Sequence, residues 1–201
     1  VLIEGCRMAG LNALGVHENP ATLHLTDLII RDTQPDPILE SFYSWAGTQW
    51  GTGLQVWGGN VVINRALFDN NTSAGIVALE APMPCTSYGD YCADSNLVLR
   101  DITILNTQPD KRDRFGVGMI LVDGAVVDAE RVYLANNHYA GILMADNFFA
   151  DDDQVTYVHA RHVQVASTLK IPSTQEGGDG VVIGEDTVAR LEDFILEDNE
   201  R

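Results

Sequence analysis

The sequence predicts an all-β solenoid in which short parallel strands stack coil upon coil. One segment recurs along the whole chain, and its apolar residues alternate with polar ones. The segment V-L-I-E-G-C-R-M-A-G at 1–10 aligns without gaps on A-L-F-D-N-N-T-S-A-G at 66–75 and on V-Y-L-A-N-N-H-Y-A-G at 132–141. A fourth copy, F-I-L-E-D-N-E-R, begins at Phe194. Such repeats are typical of folds whose units contact only their neighbours.

A second set of segments lies between these copies, so the repeat unit is half of the long period. Matching glycines are 22 residues apart between Gly53 and Gly75, but 43 residues apart in the next unit, which ends at Gly118. We therefore expect compact and loop-bearing turns to alternate. The second set comprises L-T-D-L-I-I-R-D-T at 25–33, L-R-D-I-T-I-L-N-T at 99–107 and A-R-H-V-Q-V-A-S-T at 160–168.

Each unit holds three apolar runs separated by Gly, Asn or Asp, as in G-I-V-A-L followed by N-L-V-L-R-D and I-T-I-L-N. Period-two runs bounded by turn residues predict strands, and no run is long enough for a packed helix. We expect three strands per turn, with successive turns about 4.8 Å apart. Residues 1–201 then form a single domain of about five to six turns.

These strands resemble the repeat of the right-handed parallel β-helix family, the architecture of pectate lyases and of many secreted bacterial surface proteins. The resemblance rests on a G-I-x-L strand followed by two x-I-x-N strands, and it covers essentially the whole chain. It implies right-handed coiling, which parallel crossovers also prefer. It implies a fold rather than an activity. Because the first and last repeats are partial, we expect residues 1–201 to be one segment of a longer protein.

One position of the repeat carries pairs of Asn or Asp, namely Asn70–Asn71, Asn136–Asn137 and Asp198–Asn199. Asn and Asp tolerate the left-handed conformation of a sharp corner, and stacked amides can form a ladder. We expect a corner at each pair, with Gly5 at the same position of the first copy. The match of N-N-T to a glycosylation acceptor is explained by the same repeat.

Composition excludes two classes of function. The chain has 12 Lys and Arg against 29 Asp and Glu, a net charge of −17, so it lacks the clustered cations that phosphate contacts need. No stretch approaches the roughly 18 consecutive apolar residues of a membrane span. We expect neither a nucleic-acid partner nor a membrane span.

In the resembled family, the first strand of each turn carries the functional surface. Successive side chains of a strand point to opposite faces, so Leu54 and the equivalent residue of each first strand point inside, and the residue that follows each of them points outside. A calcium-dependent polysaccharide lyase would need carboxylates and an Arg or Lys base on this outward face. The outward set is instead mostly apolar, so we expect loops, a second copy or another part of the parent protein to cover it. The set consists of Gln55, Val77, Ile120, Leu143 and Val182.

Aromatic residues of the first long loop form the candidate ligand site. The loop at 35–52 carries Tyr43, Trp45 and Trp50, which we expect to lie near the outward Trp57. Aromatic clusters on loops stack sugar rings, and they also close over hydrophobic surfaces. The first interpretation makes these four residues a carbohydrate-binding site, and the second makes them packing residues.

The second loop contains two cysteines in the segment C-T-S-Y-G-D-Y-C. Cys85 and Cys92 can close a short disulfide ring, which would stiffen the loop and place the protein outside the cytoplasm. Two free thiols in a cytoplasmic loop are the alternative. Cys6 has no expected partner.

The third loop contains Asp146 and the acidic run Asp151-Asp152-Asp153. Calcium takes six to eight oxygen ligands, so these four carboxylates are a candidate calcium site. A solvated acidic surface is the alternative. His159 and His162 are three residues apart, which on a regular strand places them on opposite faces, so we do not expect them to share a metal.

Taken together, these features favour a non-catalytic scaffold or binding module of a secreted or cell-surface protein, with carbohydrate or protein as its partner. The lack of converging ionisable groups on the outward strand face argues against an enzyme. A carbohydrate-active enzyme or carbohydrate-binding domain, of polysaccharide lyase or hydrolase type, is the alternative. We expect no cofactor other than calcium at the acidic loop. Solenoids expose strand edges at both ends, so we also expect end-to-end self-association.

Overall fold

The computed structural model describes residues 1–15, 20–35, 51–79, 95–145 and 155–200. Within these ranges the chain forms β-strands and no helix, as its period-two pattern predicts. The strands lie in two sheets of seven and six strands, and the strand pairings are parallel. The fold is therefore all-β with two parallel sheets, an arrangement consistent with a parallel β solenoid.

Chain order alternates between a sheet of short strands and a sheet of long strands, and each strand pairs with the strand two places along the chain. We call one short strand with the following long strand a unit, and number the units 1 to 6 from β2 onward. The short strands are β2 (Ala9–Leu14), β4 (Thr52–Trp57), β6 (Ala74–Leu79), β8 (Val117–Val122), β10 (Ala140–Ala145) and β12 (Asp179–Ile183). The long-strand sheet contains β1 (Leu2–Glu4), β3 (Ala21–Arg31), β5 (Gly59–Asp69), β7 (Asn96–Leu105), β9 (Val126–Ala135), β11 (Thr156–Ala166) and β13 (Thr187–Glu197).

The hydrophobic core is built from alternate residues of both sheets. Leu54 and Val56 of β4 share it with Ile63 and Phe68 of β5, and none of the four is exposed to solvent. Fully burying a side chain of this size stabilises a fold by roughly 1.5–3 kcal/mol. Stacked units therefore bury a continuous core that no unit could bury alone.

Each complete long strand is bent at one left-handed residue near its middle. The backbone angle φ is 59° at Arg65 and 56° at Arg131. This residue adds one outward position, so the buried side chains of Leu99 and Ile102 are three residues apart rather than two. Each turn therefore consists of one short strand and one bent long strand, whose two halves pair separately on either side of the bend. The other bend residues are Asp27, Asp101, His162 and Asp193.

Every short strand has glycine as its second residue, because the facing long strand leaves no room for a side chain. A Cβ at Gly141 would overlap Cγ1 of Val165 and would lie 2.7 Å from the carbonyl oxygen of Gly180. A Cβ at Gly118 would lie 2.6 Å from Cδ2 of Leu134. This close approach accounts for the glycine that recurs in each unit of the sequence.

The predicted left-handed corners are confirmed. The angle φ is 51° at Asn70, 55° at Asn136 and 53° at Asp198, and it is 65° at Gly5. The Asn136 amide donates a hydrogen bond to Oδ1 of Asn106 at 3.3 Å, so the outer amides of neighbouring units are linked.

Just after each corner, a mostly buried residue alternates between Thr and Asn from unit to unit. Oδ1 of Asn71 accepts a hydrogen bond from the backbone N–H of Thr33 at 3.2 Å, and Nδ2 donates to the Ile30 carbonyl at 3.2 Å. This alternation explains why the sequence repeats most clearly every second unit. The same N–H bond joins Thr107 to Asn137 and Thr168 to Asn199.

Candidate functional site

Three of the predicted sites fall wholly or largely outside the described residues. Within the described ranges, Cys6 is a half-buried free thiol, and no group of three His, Cys, Asp or Glu side chains is placed to hold a metal ion. The same ranges contain no helix with the length and hydropathy needed to cross a membrane. The residues outside them are Tyr43, Trp45 and Trp50 of the aromatic site, Asp146, Asp151, Asp152 and Asp153 of the calcium site, and Cys85 and Cys92 of the disulfide.

The outward residues of the short-strand sheet are buried. Val77 and Ile120 are fully shielded from solvent, and Leu143 is 5% exposed. They belong to a second hydrophobic cluster, outside the main core, against which Trp57 packs. The buried Nε1 of Trp57 has no hydrogen-bond partner among the residues that the structure describes. As far as the structure describes it, this face is a packed apolar layer.

The outer face of the long-strand sheet carries rows of ionisable side chains whose charges alternate from strand to strand. In-register pairing places equivalent residues of neighbouring strands about 4.8 Å apart, so each outward position forms a row across the sheet. Opposite charges on adjacent strands attract, whereas like charges would repel. One row contains Arg100, Glu130, Arg161 and Glu192, and the row of bend residues alternates in the same way along Asp27, Arg65, Asp101 and Arg131.

At the bend, Arg side chains bind the carboxylates of the preceding unit. Arg65 donates to the two carboxylate oxygens of Asp27 at 2.7 and 2.9 Å, and Arg131 donates to those of Asp101 at 2.6 and 3.1 Å. The Arg65 hydrogen bond holds the pKa of Asp27 below its ordinary value, and the Arg131 hydrogen bond does the same for Asp101. A general acid needs a raised pKa, so these carboxyl groups are poor candidates for that role.

A second charge cluster surrounds Arg100. Its Nη2 lies 2.5 Å from Oδ2 of Asp128, and its Nε lies 3.4 Å from Oε2 of Glu130. Arg161 approaches the same Glu130 oxygen at 3.3 Å from the other side. Each carboxylate in the cluster therefore has a cation beside it.

His159 and His162 both lie on the outer surface, so the expectation that they occupy opposite faces is wrong. His162 is itself the left-handed bend residue, which interrupts the alternation. The ring nitrogens of His159 lie 3.9 Å from Asp128 and 3.8 Å from Glu192, whereas His162 faces Asp193 at 3.6 Å. The two histidines thus have separate acidic neighbours.

A shallow groove of about 450 Å³ lies on this face beside the charged rows. Its lining includes Val126, Tyr157 and Val188, which occupy equivalent positions on β9, β11 and β13. Tyr157 is 50% exposed. The groove is not evident from the sequence, because these residues are about 31 positions apart and only the strand register brings them together.

No family model, curated protein or solved structure matches this chain. The resemblance to the parallel β-helix family therefore stays a prediction. Function has to be inferred from the two sheet faces and from the groove.

Proposed function

We propose that the chain is a right-handed parallel β-helix of about five to six turns, in which compact and loop-bearing turns alternate, and that it acts as a non-catalytic scaffold or binding module. The strict alternation of strands between two parallel sheets around one shared core supports the coiled architecture. A single residue separates β4 from β5, whereas residues 80–95 lie between β6 and β7, in line with alternating turn lengths.

The pairing of charges on the long-strand face carries the non-catalytic proposal. Catalytic acids and bases are typically groups whose pKa is moved towards the working pH by burial or by a like charge. On this face the carboxyl groups show the opposite effect, because hydrogen bonds from Arg side chains lower the pKa of Asp27, Asp101 and Glu192. The central outward positions of the short-strand face, Gln55, Val77, Ile120 and Leu143, add no ionisable group, because their side chains are apolar or, at Gln55, a neutral amide.

A depolymerisation assay tests this proposal. The protein is incubated with acidic and neutral polysaccharides, once with calcium and once with a chelator. We expect no cleavage under either condition. Cleavage that needs calcium would contradict the proposal and would direct attention to Asp146 and Asp151-Asp152-Asp153 as the calcium site.

The alternative of a carbohydrate site around Trp57 is less well supported. Trp57 is only partly exposed and packs on the second hydrophobic cluster, which favours a packing role. Under this interpretation, Trp57→Ala lowers the midpoint of urea unfolding and leaves any glycan binding unchanged. Lost glycan binding with unchanged stability would instead support the sugar site with Tyr43, Trp45 and Trp50.

Secretion or cell-surface location is the proposed setting, and it rests on the Cys85–Cys92 disulfide. Thiol titration of the denatured, non-reduced protein tests the bond. The chain has three cysteines, so one reactive thiol is expected if the disulfide forms. Three reactive thiols in protein isolated from its native source would remove the argument for an oxidising compartment.

End-to-end self-association is proposed because, among the described strands, the outermost ones have a sheet neighbour on one side only. At one end of the short-strand sheet lies β2, which exposes Leu14, and at the other lies β12, which exposes Ile183. Unpaired strand edges with apolar side chains favour association. Light scattering over a range of protein concentrations should show a rising average mass, and a constant monomer mass would contradict this proposal.

A further inference from the structure

The groove on the long-strand face combines an apolar strip with a polar edge. Val126, Tyr157 and Val188 form the strip, and their exposed fractions are 39%, 50% and 54%. Asn96 continues the same row on β7. Four neighbouring strands at about 4.8 Å spacing give the row a length of roughly 14 Å. The strip is therefore long enough to contact more than one ring of an extended ligand.

Polar groups line the groove at the next outward position of each strand, two residues after the apolar strip. His159 and Arg190 lie beside Tyr157 and Val188, and both contribute to the lining. Nε2 of His159 is buried and has no hydrogen-bond partner among the described residues, so it does not face the groove. The Arg190 side chain is 74% exposed. The Arg190 guanidinium, on the strand next to Tyr157, and the Asn96 amide, two strands away on the other side, are planar hydrogen-bonding groups.

The local charge decides which ligand fits. Beside the groove, three Arg residues are matched by three carboxylates, so this part of the face has no excess of either charge in a chain whose net charge is −17; the residues are Arg100, Arg161 and Arg190 against Asp128, Glu130 and Glu192. The excess negative charge of the chain repels uronate polymers and nucleic acids. An uncharged ligand that stacks on a ring and accepts and donates hydrogen bonds suits this groove.

We propose that this groove binds a neutral oligosaccharide, with the Tyr157 ring as its stacking platform and Asn96 and Arg190 as its hydrogen-bonding edge. This site lies on the long-strand sheet and is distinct from the aromatic loop site predicted from the sequence. The inference rests on the proposed role as a binding module and names its ligand class. A tyrosine contributes aromatic area at low entropic cost, which suits it to this role.

NMR titration tests the proposal directly. The ¹⁵N-labelled chain is titrated with neutral gluco-, xylo-, manno- and chito-oligosaccharides, and with an oligogalacturonate as the anionic comparison. We expect at least one neutral series to shift the amides of β9, β11 and β13 with saturation. Tyr157→Ala should weaken that binding about tenfold or more, because stacking on one aromatic ring contributes ~1–3 kcal/mol in comparable nucleic-acid sites.

Tyr133→Ala is the matched control. Tyr133 is also an outward tyrosine of the long-strand sheet, 39% exposed, but it lies beyond the bend and outside the groove. Its removal should leave affinity unchanged while costing a similar amount of stability.

Three outcomes would overturn the site: no saturable shift with any neutral saccharide at millimolar concentration, shifts confined to the short-strand sheet, or equal losses in the two variants. These outcomes leave the non-catalytic proposal standing, because cleavage in the depolymerisation assay is what would overturn that one.

Discussion

Replacing Asn71 by Ala removes one link between the interiors of two neighbouring units. Asn71 is 1% exposed, and its side chain accepts a hydrogen bond from Thr33 N–H and donates one to the Ile30 carbonyl. The alanine variant leaves the Thr33 N–H without its acceptor, and the Ile30 carbonyl loses its side-chain donor but stays in the ladder between β3 and β5. It changes no strand pairing, so the effect reports the buried amide itself.

The two hydrogen bonds set the magnitude. A buried N–H left without a partner costs about 1–3 kcal/mol and the lost hydrogen bond to the Ile30 carbonyl costs about 0.5–1.5 kcal/mol, which together give a range of ~1.5–4.5 kcal/mol. We expect a loss near ~3 kcal/mol, because the space vacated by the amide is polar and can admit a water molecule. That loss is a large part of the ~5–15 kcal/mol by which folded domains are stable.

Equilibrium urea unfolding measures the loss, with two variants for comparison. Asn199→Ala breaks the same kind of bonds to Thr168 and Val165 where the side chain is only partly buried, so it should cost clearly less. Thr107→Val should leave stability unchanged or raise it by up to ~1 kcal/mol, because the buried Thr107 hydroxyl has no partner. Equal losses for the two Asn variants, or a loss below ~1 kcal/mol for Asn71→Ala, would refute the reasoning.

Three further predictions concern packing, charge and the covered face. Gly141→Ala should lower the free energy of unfolding by ~2–3 kcal/mol, because the new Cβ overpacks the core. Gly59→Ala should lower it by less than ~1 kcal/mol, because the nearest atom to its new Cβ would be 3.1 Å away. Similar losses for the two variants in thermal unfolding would count against the close approach at Gly141. Arg131→Gln should raise the pKa of Asp101 in an NMR titration. A carboxyl group whose pKa is lower in the folded state stabilises the fold at pH values above its unfolded-state pKa of about 3.9, and this stabilisation is lost as the pH falls through its folded-state pKa. The variant and the wild type should therefore differ in stability at neutral pH and become equal in acid. An unchanged Asp101 pKa would contradict the ion pair. Ile120→Asp should destabilise by more than ~3 kcal/mol, since it places a carboxylate on a fully buried face; normal stability would show that this face is open to water in solution.

The local features of the fold could be predicted from the sequence. Period-two apolar runs identified the strands, and the Asn-Asn pairs identified the left-handed corners at Asn70 and Asn136. The bend of the long strands was missed, because residues as different as Arg65, Asp101 and His162 occupy it. Its only sequence signal is the three-residue step between inward positions such as Leu99 and Ile102.

The candidate site depended on contacts that sequence reasoning did not reach. The apolar stripe through Val77 and Ile120 could be read from alternation within one strand. The pairing of Arg131 with Asp101 and the alignment of Tyr157 with Val126 and Val188 depend on register between strands far apart in the chain. The repeat alignment contains this information, because residues at the same position of successive repeats become neighbours on adjacent strands.

Two separate interactions tie the units together in pairs. Units 1 and 2 share the buried Asn71–Thr33 bond and the exposed Arg65–Asp27 pair. Units 3 and 4 share the Asn137–Thr107 bond and the Arg131–Asp101 pair. Between units 2 and 3 the Asn–Thr bond does not recur among the described contacts. The structural repeat is therefore two units long, as the period of the sequence indicates.

Deleting one unit should consequently do more damage than deleting two. Removing residues 118–140 takes out unit 4, which places Thr107 next to Thr168, leaves the Thr107 N–H without its Asn acceptor, and stacks Arg100 against Arg161. Removing residues 75–140 takes out units 3 and 4 together and leaves each remaining Thr paired with an Asn. Nearest-neighbour stability in stacked repeats then predicts that the shorter protein keeps the higher unfolding temperature in calorimetry. If the single-unit deletion were the more stable, pairing between units would not govern stability, and core size alone would.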